Sequence, residues 1–64
     1  MKVKYDKEVD VLYFVFSENK ILETDEDKPG IILDYDKKGG IVGIEILDAS
    51  KRMKNPAKVE YEAA

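Results

Sequence analysis

Three carboxylates, Asp34, Asp36 and Glu45, have the best claim to chemistry in this chain. Asp34 and Asp36 stand two apart, so on an extended strand they share a face with about 7 Å between them, close enough to act as acid and base or to hold a hard cation. Together with Gly39 and Glu45 they also reproduce the first, third, sixth and twelfth positions of an EF-hand calcium loop. The fifth position of that loop is Lys38, a cation where an oxygen ligand is needed, and Pro29-Gly30 leaves no room for the incoming helix. The favoured reading is therefore a solvated polar strand face, with metal-ion or small-molecule binding by Asp34, Asp36 and Glu45 as the alternative.

Nucleophilic catalysis has little to work with. Ser17 and Ser50 are the only serines, and the chain has no His to activate them and no Cys. No catalytic residue and no cofactor are assigned, and a non-enzymatic protein is expected. Asp6 and Asp10 bracket a turn, where Asp side chains accept from nearby backbone N–H groups. Tyr5, Tyr13, Phe14 and Phe16, with Lys2 and Lys4 beside them, resemble a stacking platform for single-stranded nucleic acid. The net charge of −3 denies such a partner its basic footprint, so packing or subunit contact is the better use of these rings. The acidic run from Glu23 to Asp27 reads as a solvated loop ahead of Pro29-Gly30, or as a surface that neutralises a basic partner protein.

The elements that position these residues are strands. Lys2–Asp6 alternates, and Val11–Phe16 is β-branched and aromatic, so the two form an opening hairpin. Ser17–Lys20 supplies a turn, and Ile21–Thr24 is a weak third strand. Ile31–Asp36 and Ile41–Leu47 flank a Lys-Lys-Gly-Gly break and form a second hairpin. Asp48 stands where a helix N-cap would, its carboxylate able to accept from Ser50 or Lys51. Lys51, Arg52 and Lys54 complement the far end of that short helix, and Pro56 stops it. The expected fold is mostly β (α+β), a five-stranded antiparallel meander with a short C-terminal helix. Residues 1–55 form its single domain, and residues 56–64 are a tail that carries Val59 and Tyr61 at strand spacing.

Parity fixes the second hairpin. With the break as its loop, opposed residues have numbers summing to an odd total, so Tyr35 faces Val42, Leu33 faces Ile44 and Ile31 faces Ile46, all on one face. The other face then sets Asp36 against Ile41, Asp34 against Gly43 and Ile32 against Glu45. If Val3, Tyr5, Val11, Tyr13 and Val15 join the apolar face, Leu12, Phe14 and Phe16 form a second apolar stripe behind it. Leaving three such side chains in water forgoes roughly 1.5–3 kcal/mol each, which a small domain cannot spare. A chain of 64 residues, without cysteines for disulfides, buries only about 60% of its unfolded surface. A homo-oligomer, most simply a dimer, is the expected remedy, with Leu12, Phe14, Phe16 and Met53 at its interface. The longest apolar run, Val11 to Phe16, falls far short of the roughly 20 residues that cross a bilayer. No membrane and no nucleic-acid partner are expected, and a cytoplasmic location is.

The residues laid out above resemble the small prokaryotic family catalogued as domain of unknown function 2283. The resemblance rests on Tyr5-Asp6 with Asp10, Leu12 and Tyr13, on the acidic stretch before Pro29-Gly30, and on Asp34-Tyr35-Asp36 with Gly39. Its most specific part is Gly43-Ile44-Glu45-Ile46-Leu47-Asp48-Ala49-Ser50, and Gly40 departs from the family's polar residue after the turn glycine. The resemblance covers roughly residues 1–52 and implies a compact, mostly β protein with no catalytic residues to carry over. Some members look to be encoded beside small toxin-like proteins, which implies an antitoxin-like role as one candidate.

Overall fold

The computed structural model describes all residues, Met1–Ala64. Five antiparallel strands form one sheet: β1 (Lys2–Asp6), β2 (Val11–Val15), β3 (Glu23–Lys28), β4 (Ile31–Tyr35) and β5 (Ile41–Leu47), followed by a one-turn helix α1 (Ala49–Arg52). The mostly β class and the short helix are as the sequence led us to expect. The order across the sheet is β1-β2-β5-β4-β3, so the meander is interrupted once, between β2 and β3. Composition explains the interruption. β5 is the longest and among the most apolar strands and gains from neighbours on both sides, whereas all six residues of β3 are exposed and suit an edge.

The expected turn at Ser17–Lys20 is instead part of a connection that carries the chain past β5 and β4. Three strand spacings, about 14 Å, separate β2 from β3, a distance six or seven extended residues cover easily. The Phe16 and Ser17 N–H groups donate to the Val42 carbonyl at 2.7 and 3.3 Å, and the Leu22 N–H donates to Tyr35 O at 2.8 Å. The third strand consequently begins at Glu23 and takes in the acidic run, leaving Ile21 and Leu22 outside it and exposed.

Register in the second hairpin follows the odd-sum rule as far as Ile31 opposite Ile46, Ile32 opposite Glu45, Leu33 opposite Ile44 and Asp34 opposite Gly43. It then slips by one, and Tyr35 pairs with Ile41 rather than Val42. The cause lies in the loop. The Asp36 N–H donates to Gly40 O at 2.8 Å, and Asp36 Oδ1 accepts from Lys38 N at 2.9 Å and Gly40 N at 2.8 Å, closing the loop one residue early. Asp36 therefore faces Gly40, not Ile41, and Val42 becomes the extra residue of a β-bulge.

The first hairpin obeys the same odd-sum rule. Its four-residue loop, Lys7–Asp10, closes between Asp6 and Val11, so Val3 opposes Phe14 and Tyr5 opposes Leu12. The β2–β5 ladder then sets Leu12 against Ile46 and Phe14 against Ile44. Opposed residues share a face. Val3, Tyr5, Leu12, Phe14, Ile44, Ile46, Ile31 and Leu33 are thus one continuous apolar face, and Leu12 and Phe14 of the second stripe expected behind the sheet are part of the first. The reverse face mixes Val11, Tyr13, Val15, Ile32 and Leu47 with Lys2, Lys4, Asp6, Thr24, Glu26, Asp34 and Glu45.

Burial is shallow for such a face. Leu12, Val11, Val42 and Ala49 are the buried apolar residues, and no large side chain is wholly enclosed. The radius of gyration, 12.3 Å, exceeds the roughly 10.7 Å typical of a compact chain of this length. One sheet with a single turn of helix is a layer without a second layer, and stable domains are built from two. No helix of the chain is long and apolar enough to cross a membrane.

Candidate functional site

Asp10 organises the end of the sheet where β5 runs into the helix. It holds a left-handed conformation, φ 57°, which Asp tolerates better than most residues. Its Oδ1 accepts from the Tyr5 hydroxyl at 2.7 Å and the Ser50 N–H at 2.9 Å, and its Oδ2 accepts from the Ser50 hydroxyl at 2.7 Å. Its carbonyl takes the Ala49 N–H at 3.0 Å. Three of these four hydrogen bonds tie the first hairpin to a helix forty residues on, and the Tyr5 bond braces Asp10 within the hairpin. The hydroxyl and N–H of Ser50, with the Tyr5 hydroxyl, hold the Asp10 carboxyl below the usual carboxylate range, and the same bond to Asp10 raises the Tyr5 phenol.

Asp48 stands at the N-cap position expected of it, but the carboxylate bond expected there is corrected. Asp48 is itself left-handed, φ 53°, and makes no side-chain cap bond. Asp10 supplies that carboxylate from another element, accepting the N–H group that a local cap would have taken. At the other end of the helix, Arg52 donates from Nε to the Leu47 carbonyl at 3.0 Å and from a guanidinium nitrogen to Pro29 O. It fastens the β3–β4 turn to the end of β5. Asp6, in contrast, does the local turn work expected of it, accepting the Glu8 N–H at 3.0 Å.

The three carboxylates proposed for binding divide into two groups. Asp34 is only 5% exposed, and its Oδ1 accepts from the Thr24 hydroxyl at 3.0 Å. It sits diagonally beside Glu45 on the reverse face. Burial first, then a hydrogen bond and like charge from Asp34, push the Glu45 carboxyl above its ordinary value. Asp36 is occupied elsewhere. Besides the two loop N–H groups, it accepts from Asn19 Nδ2 at 3.0 Å, and these bonds hold its carboxyl below the usual range. No cluster of three or more His, Cys, Asp or Glu side chains is placed to hold a metal ion. The surface depressions are open and shallow, one of them lying along Glu23, Thr24, Asp25, Tyr35 and Gly39.

Of the residues expected at an oligomer interface, Leu12 is already covered at 3% exposure, Phe14 and Met53 are half-buried, and Phe16 is 42% exposed. The aromatic platform is divided, Tyr5 and Phe14 on the apolar face and Tyr13 on the reverse, where Lys4 Nζ lies 5.9 Å from the Tyr13 ring centre. The link between Asp10 and Ser50 escaped sequence reasoning, since no local spacing signals a bond across forty residues. Thr24 escaped it too, although its place opposite Asp34 would follow once the acidic run was read as a strand.

A family model described as a protein of unknown function (DUF2283) matches residues 2–50. An uncharacterised protein of Methanocaldococcus jannaschii is 43% identical over 51 residues, covering 80% of this chain and 43% of that relative, so the chain spans less than half the relative's length. No solved structure matches the chain.

Proposed function

The chain belongs to the family described as a protein of unknown function (DUF2283), and from that premise we propose that it is a non-enzymatic interaction module that works as a dimer through the apolar face of its sheet. The observation that carries this reading is the single face of Val3, Tyr5, Leu12, Phe14, Ile31, Leu33, Ile44 and Ile46. Only Leu12 of these eight is buried, and the single helix is one turn long. A second copy presenting the same face makes a two-layer sandwich about 10 Å thick, the ordinary solution for a sheet apolar on one side. Self-complementary faces of this kind close into two-fold dimers.

A basic partner protein is the further expectation, and the exposed β3 edge is the surface for it. Glu23, Asp25, Glu26 and Asp27 line that edge. An antitoxin-like role would use this edge to cover a basic toxin surface, and replacing these four residues by their amides would then slow association and flatten its salt dependence.

Sedimentation equilibrium tests the dimer. The expected outcome is a mass of twice 7.3 kDa at micromolar protomer. A species of single-chain mass up to about millimolar concentration, where Kd corresponds to only ~4 kcal/mol, would sink the reading.

A further inference from the structure

The tail beyond Pro56 is chemically matched to a strand edge that the fold leaves open. β1 stands at one end of the sheet and pairs on one side only, with β2. Along β1, Lys2 and Lys4 point to the reverse face with Asp6, while Val3 and Tyr5 belong to the apolar face. An edge strand offers every second N–H and C=O to an incoming strand, and its lysines repel unsuitable ones.

The tail has the alternation of a strand without a partner. Lys58 and Glu60 lie on one side of it, Lys58 Nζ 3.8 Å from Glu60 Oε1, and Val59 and Tyr61 between and beyond them are 55% and 82% exposed. Its start is fixed. Pro56 is buried, Asn55 Oδ1 accepts the Ala57 N–H at 3.2 Å, and the Asn55 carbonyl accepts the Lys58 N–H at 3.1 Å. After Lys58 no backbone group of the tail bonds to any other part of the chain.

We propose that residues Lys58–Glu62 of one copy add to the free edge of β1 in a second copy as an antiparallel sixth strand, and that the exchange is reciprocal. Register identifies the partner. With opposed numbers summing to 64, Lys58 meets Asp6, Glu60 meets Lys4 and Glu62 meets Lys2, three opposite-charge pairs on the reverse face. The same register sets Val59 against Tyr5 and Tyr61 against Val3, so the added strand widens the apolar face by two large side chains. Sliding the antiparallel register by two residues either way opposes Lys58 to Lys4 or Glu60 to Asp6. A parallel arrangement with Glu60 against Lys4 opposes Lys58 to Lys2 and Glu62 to Asp6. The other open edge, acidic β3, repels Glu60 and Glu62.

The occupant of the edge is a second copy because the tail's backbone makes no bond to its own sheet after Lys58, while its alternating charges complement those along β1. This inference rests on the dimer reading above and adds which segment completes it. Recognition by strand addition draws affinity from main-chain hydrogen bonds and specificity from alternate side chains, which suits so short a segment.

Charge reversal at one pair tests it. Lys4→Glu and Glu60→Lys are each expected to raise the dimer Kd about tenfold or more in sedimentation equilibrium, since each places two like-charge pairs in the two-fold assembly. The double variant Lys4→Glu with Glu60→Lys restores Kd to within about threefold of the unaltered chain, a rescue that simple loss of folding cannot produce. Unchanged Kd in both single variants, with the dimer intact, overturns the tail exchange and leaves the apolar-face dimer standing. A full chain that stays at single-chain mass overturns both. A second measurement separates exchange from fold-back: Lys4→Cys with Glu60→Cys, oxidised, gives a covalent dimer under exchange, whereas a disulfide-closed single chain overturns it.

Discussion

Replacing Gly43 by Ala tests the packing of the central ladder with one methyl group. A Cβ at Gly43 would lie 2.5 Å from the Phe14 carbonyl oxygen, which is backbone and cannot swing aside. The β2 and β5 backbones must part by about 0.9 Å or more to bring that contact to an ordinary van der Waals distance. The same movement strains the neighbouring bonds from Phe16 and Ser17 to Val42 O, now 2.7 and 3.3 Å, pushing at least the longer one past useful range. One lost hydrogen bond at about 1 kcal/mol and overpacking strain of about 1–2 kcal/mol give a total of about 2–3 kcal/mol. A domain of this size has only about 5 kcal/mol in hand. With a urea slope of about 1 kcal/mol per M, the midpoint should fall by about 2 M at a fixed protomer concentration. Gly39→Ala is the control, because its Cβ would meet nothing within 4 Å and only its φ of +81° resists substitution. Its cost should be about 1 kcal/mol. A Gly43→Ala midpoint within about 0.5 M of the unaltered chain, or a larger loss from Gly39→Ala, would refute the reasoning.

Three further outcomes follow from the carboxylates. Asp10→Asn should lower the urea midpoint at neutral pH and flatten its acid limb: a depressed carboxyl contributes stability above its unfolded value near 4, lost as pH falls through the folded value, so an unaltered acid limb would refute the assignment. Glu45→Gln should raise the midpoint at pH 7, because a carboxyl raised in the folded state costs stability as pH rises above about 4, and the advantage should vanish in acid; a loss of stability at pH 7 would count against the Asp34–Glu45 contact. Thr24→Val leaves the buried Asp34 without its hydroxyl donor and should cost about 1–2 kcal/mol by urea titration, with a neutral result showing that Asp34 finds another donor.

The local elements were legible because periodicity and turn chemistry act over a few residues. Alternation at Ile31–Tyr35 and Ile41–Leu47, with Gly39 between them, fixes the second hairpin and most of its register. The slip at Tyr35 was hidden because it comes from Asp36 gathering the loop N–H groups, and a one-residue change of loop closure leaves no mark on the hydrophobic pattern. The side assignment of Leu12 and Phe14 was within reach: the even-length loop Lys7–Asp10 imposes the odd-sum rule used for the other hairpin. Strand order was harder. An acidic run reads as loop when taken alone, and only the competition for the central position makes Glu23–Lys28 an edge strand. At the candidate site, Asp34 and Glu45 meet on the reverse face, whereas Asp36 was grouped with them on spacing that the loop overrides.

The seam between β2 and β5 divides the molecule into two pieces that need not be made as one. Every other pairing joins strands adjacent in sequence, so residues before Ser17 and residues after Leu22 can each fold back on themselves first. The ladder from Val11–Leu47 to Val15–Gly43, extended by the Phe16 N–H on the Val42 carbonyl and clasped at its other end by Asp10 and Ser50, zips the halves together. A nick within the linking loop removes no partner from that ladder, which makes the two fragments natural candidates for reconstitution as a split pair.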